Sequence, residues 1–347
     1  MGLREDLRKA VLNKLKKKVN PLQGFFTTEE TQGAILAVLV SGRHLLLEGP
    51  PGIGKTTEGP PGIGKTTVAK IIAKLLPSMK VVKGCRYICS PDKPTCPDCR
   101  GKSKFKSKTV SGDERFIRIQ GSPEMMPEDL VGDIDPVLAM RLGIQDTRAF
   151  NPGKIQKSHR KIMFIDELNR VPQRTQNTLL QVLEEGTVTI SGFDIEAQVD
   201  TLVVATENPE EYAGAERISE NLGDRFERLA IDYPTVEQEI EILKLYGKKI
   251  KPVEVPGKIT QKIVNISQHA RSLKELDRPP SVRSSLSIYE QAQALAKLKG
   301  RSSVKPKDVE EVSRSILKGR ISVSGESKYY DEPEHLIEKI IEESEGE

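Results

Sequence analysis

Tryptophan is absent from this 347-residue chain, and aromatic residues make up only 4% of it. No apolar run approaches the ~20 residues that a membrane-spanning helix needs. The longest, 34–40, is far too short, so no membrane insertion is expected. Residues 1–19, MGLREDLRKAVLNKLKKKV, have neither an apolar core nor a small-residue cleavage site, which argues against a secretory signal and for a cytoplasmic protein. An excess of one charge is also lacking. Fifty-four basic and 50 acidic residues leave a net +4, a balance that does not by itself argue for a nucleic-acid partner. Cysteine is scarce, and its four copies all fall between positions 85 and 99. Disulfide staples would be spread along the chain, so this cluster points to a metal. The missing tryptophan and the abundance of Lys, Glu and Ile lean toward a thermophilic composition.

What is present is a repeat. Residues 45–70 read LLLEGPPGIGKTTEGPPGIGKTTVAK, in which EGPPGIGKTT occurs at 48–57 and again at 58–67. Each copy contains a complete G-x-x-x-x-G-K-[ST] loop. In such a loop glycines turn backbone N–H groups toward phosphates, lysine reaches the β and γ phosphates, and the hydroxyl binds Mg²⁺. The loop works where it opens a helix, because free N–H groups and the helix dipole meet the anion there. The first copy (Gly49, Gly52, Gly54, Lys55, Thr56) follows an apolar strand but runs into Glu-Gly-Pro-Pro, which ends a helix within a turn. The second (Gly59, Pro60, Pro61, Gly62, Ile63, Gly64, Lys65, Thr66, Thr67) leads into the uninterrupted VAKII. The second copy is therefore expected to hold ATP, with residues 44–47 staying in the sheet and ten residues bulging between. The first copy remains the alternative. The perfect repeat reads as a recent duplication or an error in the sequence, and a chain impaired by it is a further reading.

Residues 162–165 are a fully apolar strand ending in Asp166-Glu167. Asp166, with Thr66, would support Mg²⁺, and Glu167 would polarise the attacking water. Strands and helices alternate to about residue 233, which predicts an α/β doubly wound parallel-sheet P-loop core. After Pro234 the pattern becomes helical throughout, predicting a smaller all-helical lid. The expected divisions are an N-terminal basic helix (1–24), the nucleotide-binding core (25–235), the lid (236–320) and an acidic C-terminal tail (321–347), whose end is an amphipathic helix or a loose peptide.

Cys85, Cys89, Cys96 and Cys99 form an insertion at 84–101 with C-x3-C-x6-C-x2-C spacing. Four thiolates suit tetrahedral Zn²⁺ with a structural role; an iron–sulfur cluster is the alternative. Lysines 102, 104, 106 and 108 follow with Phe105 among them, so a nucleic-acid contact is conceivable, although a solvated loop is the simpler reading.

GPPGIGKT, MFIDELNR, VVATENPEE, ENLGDRFERL and RPPSVRSSLSIYEQAQAL stand in the order seen in AAA+ ATPases. Over roughly residues 25–318 the chain resembles the branch of MoxR and the magnesium-chelatase I subunit. The resemblance implies that Asn208 is the first sensor, Arg225 the arginine finger offered to a neighbouring subunit, with Arg228 as a weaker substitute, and Arg283 the second sensor. It implies a hexameric ring, and family insertions at about 121–143 and about 187–198. It also implies a client protein, often one with a von Willebrand A domain. A nucleic-acid motor is the alternative, disfavoured because 187–198 contains no basic residue.

Overall fold

The computed structural model describes residues 2–49, 64–94, 96, 99, 104–143, 146–190, 195–207 and 217–344. Two compact units emerge. One comprises Met1–Pro50 with Lys65–Ile231, and the other is built on Asp232–Glu347.

The first unit is organised by five strands: β1 (His44–Glu48), β2 (Phe116–Gln120), β3 (Ile162–Asp166), β4 (Leu202–Glu207) and β5 (Phe226–Ala230). They form one sheet in the order β5-β1-β4-β3-β2, and every pairing is parallel. Leu45–Leu47, Ile162–Ile165 and Leu202–Ala205 are buried at every position, so both faces of the central strands are covered, as the unbroken apolar runs require. β5 escapes a sequence reading because FERLA is a half-polar edge strand with alternating burial.

The N-terminal stretch 1–24 belongs to this unit rather than standing apart from it. Helix α1 (Leu3–Lys16) buries Leu3, Leu7 and Val11, while Leu15, on the expected stripe, stays exposed. It is fastened by polar contacts that periodicity does not reveal. Leu3 N–H donates to Asp200 at 2.6 Å, and Arg8 Nε donates to the Val40 carbonyl of α2 (Glu29–Ser41) at 2.7 Å. The Thr28 hydroxyl caps α2 by accepting from Thr31 N–H. The sheet is followed into the helical layer by α3 (Lys65–Leu75) and α4 (Gln173–Glu185).

The second unit packs α5 (Val236–Tyr246), α6 (Gly257–Ser272), α7 (Val282–Leu298), α8 (Pro306–Lys318) and α9 (Pro333–Glu343) around a single apolar cluster. The end of the chain is part of that core. Leu336, Ile337, Ile340 and Ile341 of α9 are all buried, so 333–343 is a docked amphipathic helix, not a loose tail. At the centre lies a buried charge. Glu239 of α5 receives both guanidinium arms of Arg271 at 2.6 and 3.0 Å and the Gln268 amide at 2.9 Å.

Among the described residues no helix is long and apolar enough to cross a membrane.

Candidate active site

Because the sheet is parallel, the carboxyl ends of its strands share one edge, where open α/β sheets bind ligands. Register places Gln120 beside Asp166, and Glu48 beside both Glu207 and Ala230.

The phosphate-binding segment enters and leaves this edge as its two halves dictate. β1 ends at Glu48, and Gly49 follows it. Gly49 runs so close to the chain after β5 that an added Cβ would lie 2.6 Å from the Ile231 carbonyl. α3 begins at Lys65, after Gly64, whose φ of 130° suits glycine. Lys65, Thr66 and Thr67 occupy the first turn and are buried. The Lys65 ammonium donates to the carbonyls of Gly49 at 2.8 Å and Glu207 at 2.6 Å, which places it between the ends of β1 and β4. The strand thus ends at the start of the first copy, and the helix opens within the end of the second. Gly59, Pro60, Pro61, Gly62 and Ile63, and Gly52, Gly54, Lys55 and Thr56 of the first copy, lie outside the described residues.

Asp166 and Glu167 close β3, and both are buried. One hydroxyl holds the pair. Thr206 Oγ1 donates to Asp166 Oδ1 at 2.9 Å and accepts from Glu167 N–H at 2.8 Å. Glu167 itself has φ 58°, ψ 57°, a left-handed conformation rare for a side-chain-bearing residue. Gly121 makes room for that turn. Its N–H donates to the Asp166 carbonyl at 2.7 Å, and a Cβ there would collide with the Glu167 carbonyl.

A second strand reaches the same acids. Arg118 Nη2 donates to Asp166 Oδ2 at 2.7 Å and to Gln120 Oε1 at 3.0 Å, and Gln120 Nε2 donates to Glu167 Oε2 at 3.2 Å. Arg170 adds a 3.2 Å ion pair to Glu167. Thr206, Arg118 and Gln120 were not singled out by sequence reading. The available signal was their place at the carboxyl ends of strands flanking the one that carries Asp-Glu. Glu207 is held above its ordinary carboxylate range, chiefly by burial and then by Glu48, with Arg228 and Lys65 opposing.

The arginines separate. Arg225 lies at the surface after the short helix Glu220–Gly223, paired with Glu184 at 3.0 Å. Arg228, on β5, turns to Glu48 of its own chain at 3.1 Å. Arg283 occupies the first turn of α7 in the second unit, where the helix dipole gains nothing from a cation. Asn208 lies outside the described residues.

Of the two insertions, the first contains the short helices Pro127–Val131 and Pro136–Leu142, the latter with no buried residue. Met126, Val137 and Met140 are exposed there. The second is the antiparallel hairpin Thr187–Ile190 and Ile195–Gln198, with its tip at 191–194 outside the described residues.

Cys85, Cys89, Cys96 and Cys99 converge, their sulfur atoms all within 4.8 Å of one another and none in a disulfide. The base of this module is an antiparallel ribbon, Met79–Val82 with Ser107–Val110, formed in part by what reads in sequence as a polar loop. A Val82 N–H to Cys89 carbonyl bond (2.9 Å) and a Tyr87 N–H to Cys85 sulfur contact (3.4 Å) shape the first knuckle. Hydrogen bonding with Cys85 and Cys89 raises the Cys96 thiol, and burial pushes Cys99 up to about 12. Tetrahedral zinc with Zn–S bonds of about 2.3 Å needs sulfurs a little under 4 Å apart. Cys85 and Cys96 stand at 3.6 Å, so the donor set fits.

A parallel β5-β1-β4-β3-β2 sheet with a phosphate-loop lysine, a strand-end Asp-Glu pair and a distinct helical unit defines a P-loop ATPase with a lid. Comparison with known proteins agrees. Residues 96–228 match the ATPase family associated with various cellular activities (AAA), and residues 280–343 match the AAA lid domain. The chain is 27% identical over 329 residues to the uncharacterized protein YeaC of Bacillus subtilis, covering 88% of this chain and 86% of that one. It is 29% identical over 258 residues to the chaperone MoxR1 of Mycobacterium tuberculosis (65% and 66% of the two chains). It is 31% identical over 226 residues to the magnesium-chelatase 38 kDa subunit of Acidiphilium rubrum (63% and 57%). Among solved structures, a model of the BchI–BchD complex of magnesium chelatase superposes with a TM-score of 0.50 at 21% identity, covering 88% of this chain and 97% of that one. The chain thus carries AAA ATPase and AAA lid domains, and its similarity to MoxR and magnesium-chelatase subunits is consistent with an AAA+ ATPase of that branch.

Proposed function

We propose that the protein is the motor of a ring that hydrolyses ATP at the helix-linked loop copy and uses the resulting movement to remodel a partner protein. The observation that carries this reading is the buried Asp166–Thr206–Glu167 constellation on the same sheet edge as the Lys65 ammonium. In this reading Lys65 holds the β and γ phosphates, and Thr66 with Asp166 holds Mg²⁺. These hydroxyl and carboxylate oxygens suit a hard cation, which would neutralise charge on the phosphates. Glu167 accepts a proton from the attacking water. Gln120 restrains the Glu167 carboxylate until nucleotide binding reorders the site.

Arg225, half-buried and paired with Glu184 of its own chain, would exchange that partner for the nucleotide of a neighbouring subunit as its finger, and Asn208 and Arg283 serve as the two sensors. The assembly is a closed hexamer. The apolar tip at Met126, Val137 and Met140 supplies the client contact, since methionines adapt to varied surfaces. A partner with a von Willebrand A domain is the client class that the family resemblance favours. Zinc at the four cysteines is structural, because all four coordination positions are filled by protein.

A mixing experiment tests the ring. Lys65→Ala destroys a site but keeps the finger, and Arg225→Ala does the reverse. Each variant alone should be nearly inactive, and an equimolar mixture should regain turnover where an intact site meets an intact finger. Mixtures no more active than the separate variants, or full activity of Arg225→Ala alone, would overturn the shared site.

A further inference from the structure

The four-cysteine module concentrates charge that the rest of the chain lacks. Residues 79–110 contain nine Lys or Arg and two Asp, whereas the whole chain is only +4, so everything outside the module is net acidic. Lysines 80, 83, 93, 104, 106 and 108 are all exposed, and among the described residues none of them forms an ion pair. They sit on a stiff base. Lys83 N–H donates to the Lys106 carbonyl at 2.7 Å, which joins the two edges of the ribbon, and Lys108 lies opposite Val81 within it. Extended backbone sets alternate residues about 6.7 Å apart on one side, so Lys106 and Lys108 offer charge in regular steps.

The charged surface continues into the core. Burial and then the charge of Lys108 lower the pKa of Lys161, just before β3, and burial, Lys154 and Arg86 lower that of Lys157 against the opposing charge of Asp133. Arg86 is anchored by a 2.9 Å bond to the Phe150 carbonyl.

The same surface is poor in what a protein partner would need. Protein interfaces have an apolar, aromatic centre from which charged residues are depleted. Among the described residues of the module no large apolar side chain is exposed, Tyr87 is buried, and Phe105 packs against the cysteines. Among the described residues, exposed lysines without ion pairs on a surface where no large apolar side chain is exposed match a chain of phosphates. We infer that the four-cysteine module is a docking surface for the phosphate backbone of a nucleic acid. The contact is expected to be independent of base sequence, because contacts to phosphates carry no base information. It tethers the ATPase without translocating the strand, and it does not depend on the identity of the protein client.

The test is fluorescence anisotropy of the full chain with labelled 30-nucleotide single-stranded and 30-base-pair duplex DNA between 50 and 300 mM salt. Each phosphate contact contributes about 0.9 to the log–log salt slope on duplex DNA, so five engaged lysines predict a slope near −4.5. The triple variant Lys104→Glu/Lys106→Glu/Lys108→Glu should lose about 2.7 of that slope and weaken binding by about tenfold or more at 100 mM salt. Its ATPase rate without DNA should equal that of the unmodified chain, which shows that it folds. The neutral Gln triple variant should fall between the two. The basic end of α1 supplies the control, Lys16→Glu/Lys17→Glu/Lys18→Glu, which should bind as the unmodified chain does. The inference is overturned if no nucleic acid binds at 50 mM salt, if loss follows the α1 variant instead, or if the module captures an acidic polyglutamate peptide but no DNA.

Discussion

Replacing Thr206 by valine removes one hydroxyl and leaves the volume almost unchanged. That hydroxyl makes two contacts in a fully buried place, accepting from Glu167 N–H and donating to the Asp166 carboxylate. A buried N–H left without a partner costs about 1–3 kcal/mol, and a lost bond to an ionised group about 1.5–3 kcal/mol. The two overlap because both neighbours relax together, so the expected loss is about 3–4 kcal/mol. For a unit of this size 1 kcal/mol corresponds to about 2–4 °C, which predicts a fall in Tm of roughly 6–16 °C. Activity should suffer separately. Glu167 is held at a left-handed backbone conformation partly by that bond, and a freed Glu167 loses its aim, lowering kcat by about tenfold or more. Thr206→Ser is the matched control. It keeps the hydroxyl, gives up one methyl worth about 1 kcal/mol, and should retain most of kcat. Circular dichroism melts and a coupled ATPase assay read the two effects. If Thr206→Val melts and turns over like the unmodified chain, or if serine rescues neither property, the hydroxyl does not hold the pair and the reasoning fails.

Other perturbations carry equally definite expectations. Glu239→Ala leaves Arg271 charged and buried in the lid, and should destabilise the chain by about 3–5 kcal/mol in urea titration; Glu239→Gln keeps some hydrogen bonding and should cost less. Asp308 caps α8 and pairs with Arg301, which holds its carboxyl down to about 2. Its folded pKa lies below the unfolded value near 3.9, so about 2 kcal/mol of stability is present above pH 4 and lost as pH falls toward 2. Asp308→Asn should therefore be weaker than the unmodified chain at pH 7 and no weaker near pH 2, as read by urea midpoints. Cys96→Ser should lower bound zinc from about one per chain to near zero by elemental analysis and soften the module to proteolysis, leaving Asp166 and Glu167 in place.

The parts of this molecule legible in its sequence are those whose signal is local. Residues 162–167 announce a buried strand and its two acids in six letters, and VAKII after Thr67 announces the helix that opens at Lys65. The clustering of four cysteines needed only their spacing. What stayed hidden depends on contacts between segments far apart in the chain. Thr206 meets Asp166 from forty residues away, and Arg118 reaches it from forty-eight. A threonine inside VVATEN and an arginine inside FIRIQ look like ordinary strand residues until parallel pairing sets their ends side by side. Helix α1 and the C-terminal α9 show the same limit. Amphipathic spacing revealed that each has an apolar stripe, but only packing shows that Leu3 and Ile340 are core residues of their units. The ribbon beneath the cysteines was obscured by its own lysines, which sequence reading assigns to solvated loop.

The most direct test of the whole account is ATP turnover in the unmodified chain, in Lys55→Ala and in Lys65→Ala. The account places the phosphates at the copy that opens α3, where Lys65 already stands between Gly49 and Glu207. It predicts that Lys65→Ala abolishes turnover while Lys55→Ala leaves it nearly intact. Loss in Lys55→Ala with retention in Lys65→Ala would contradict it.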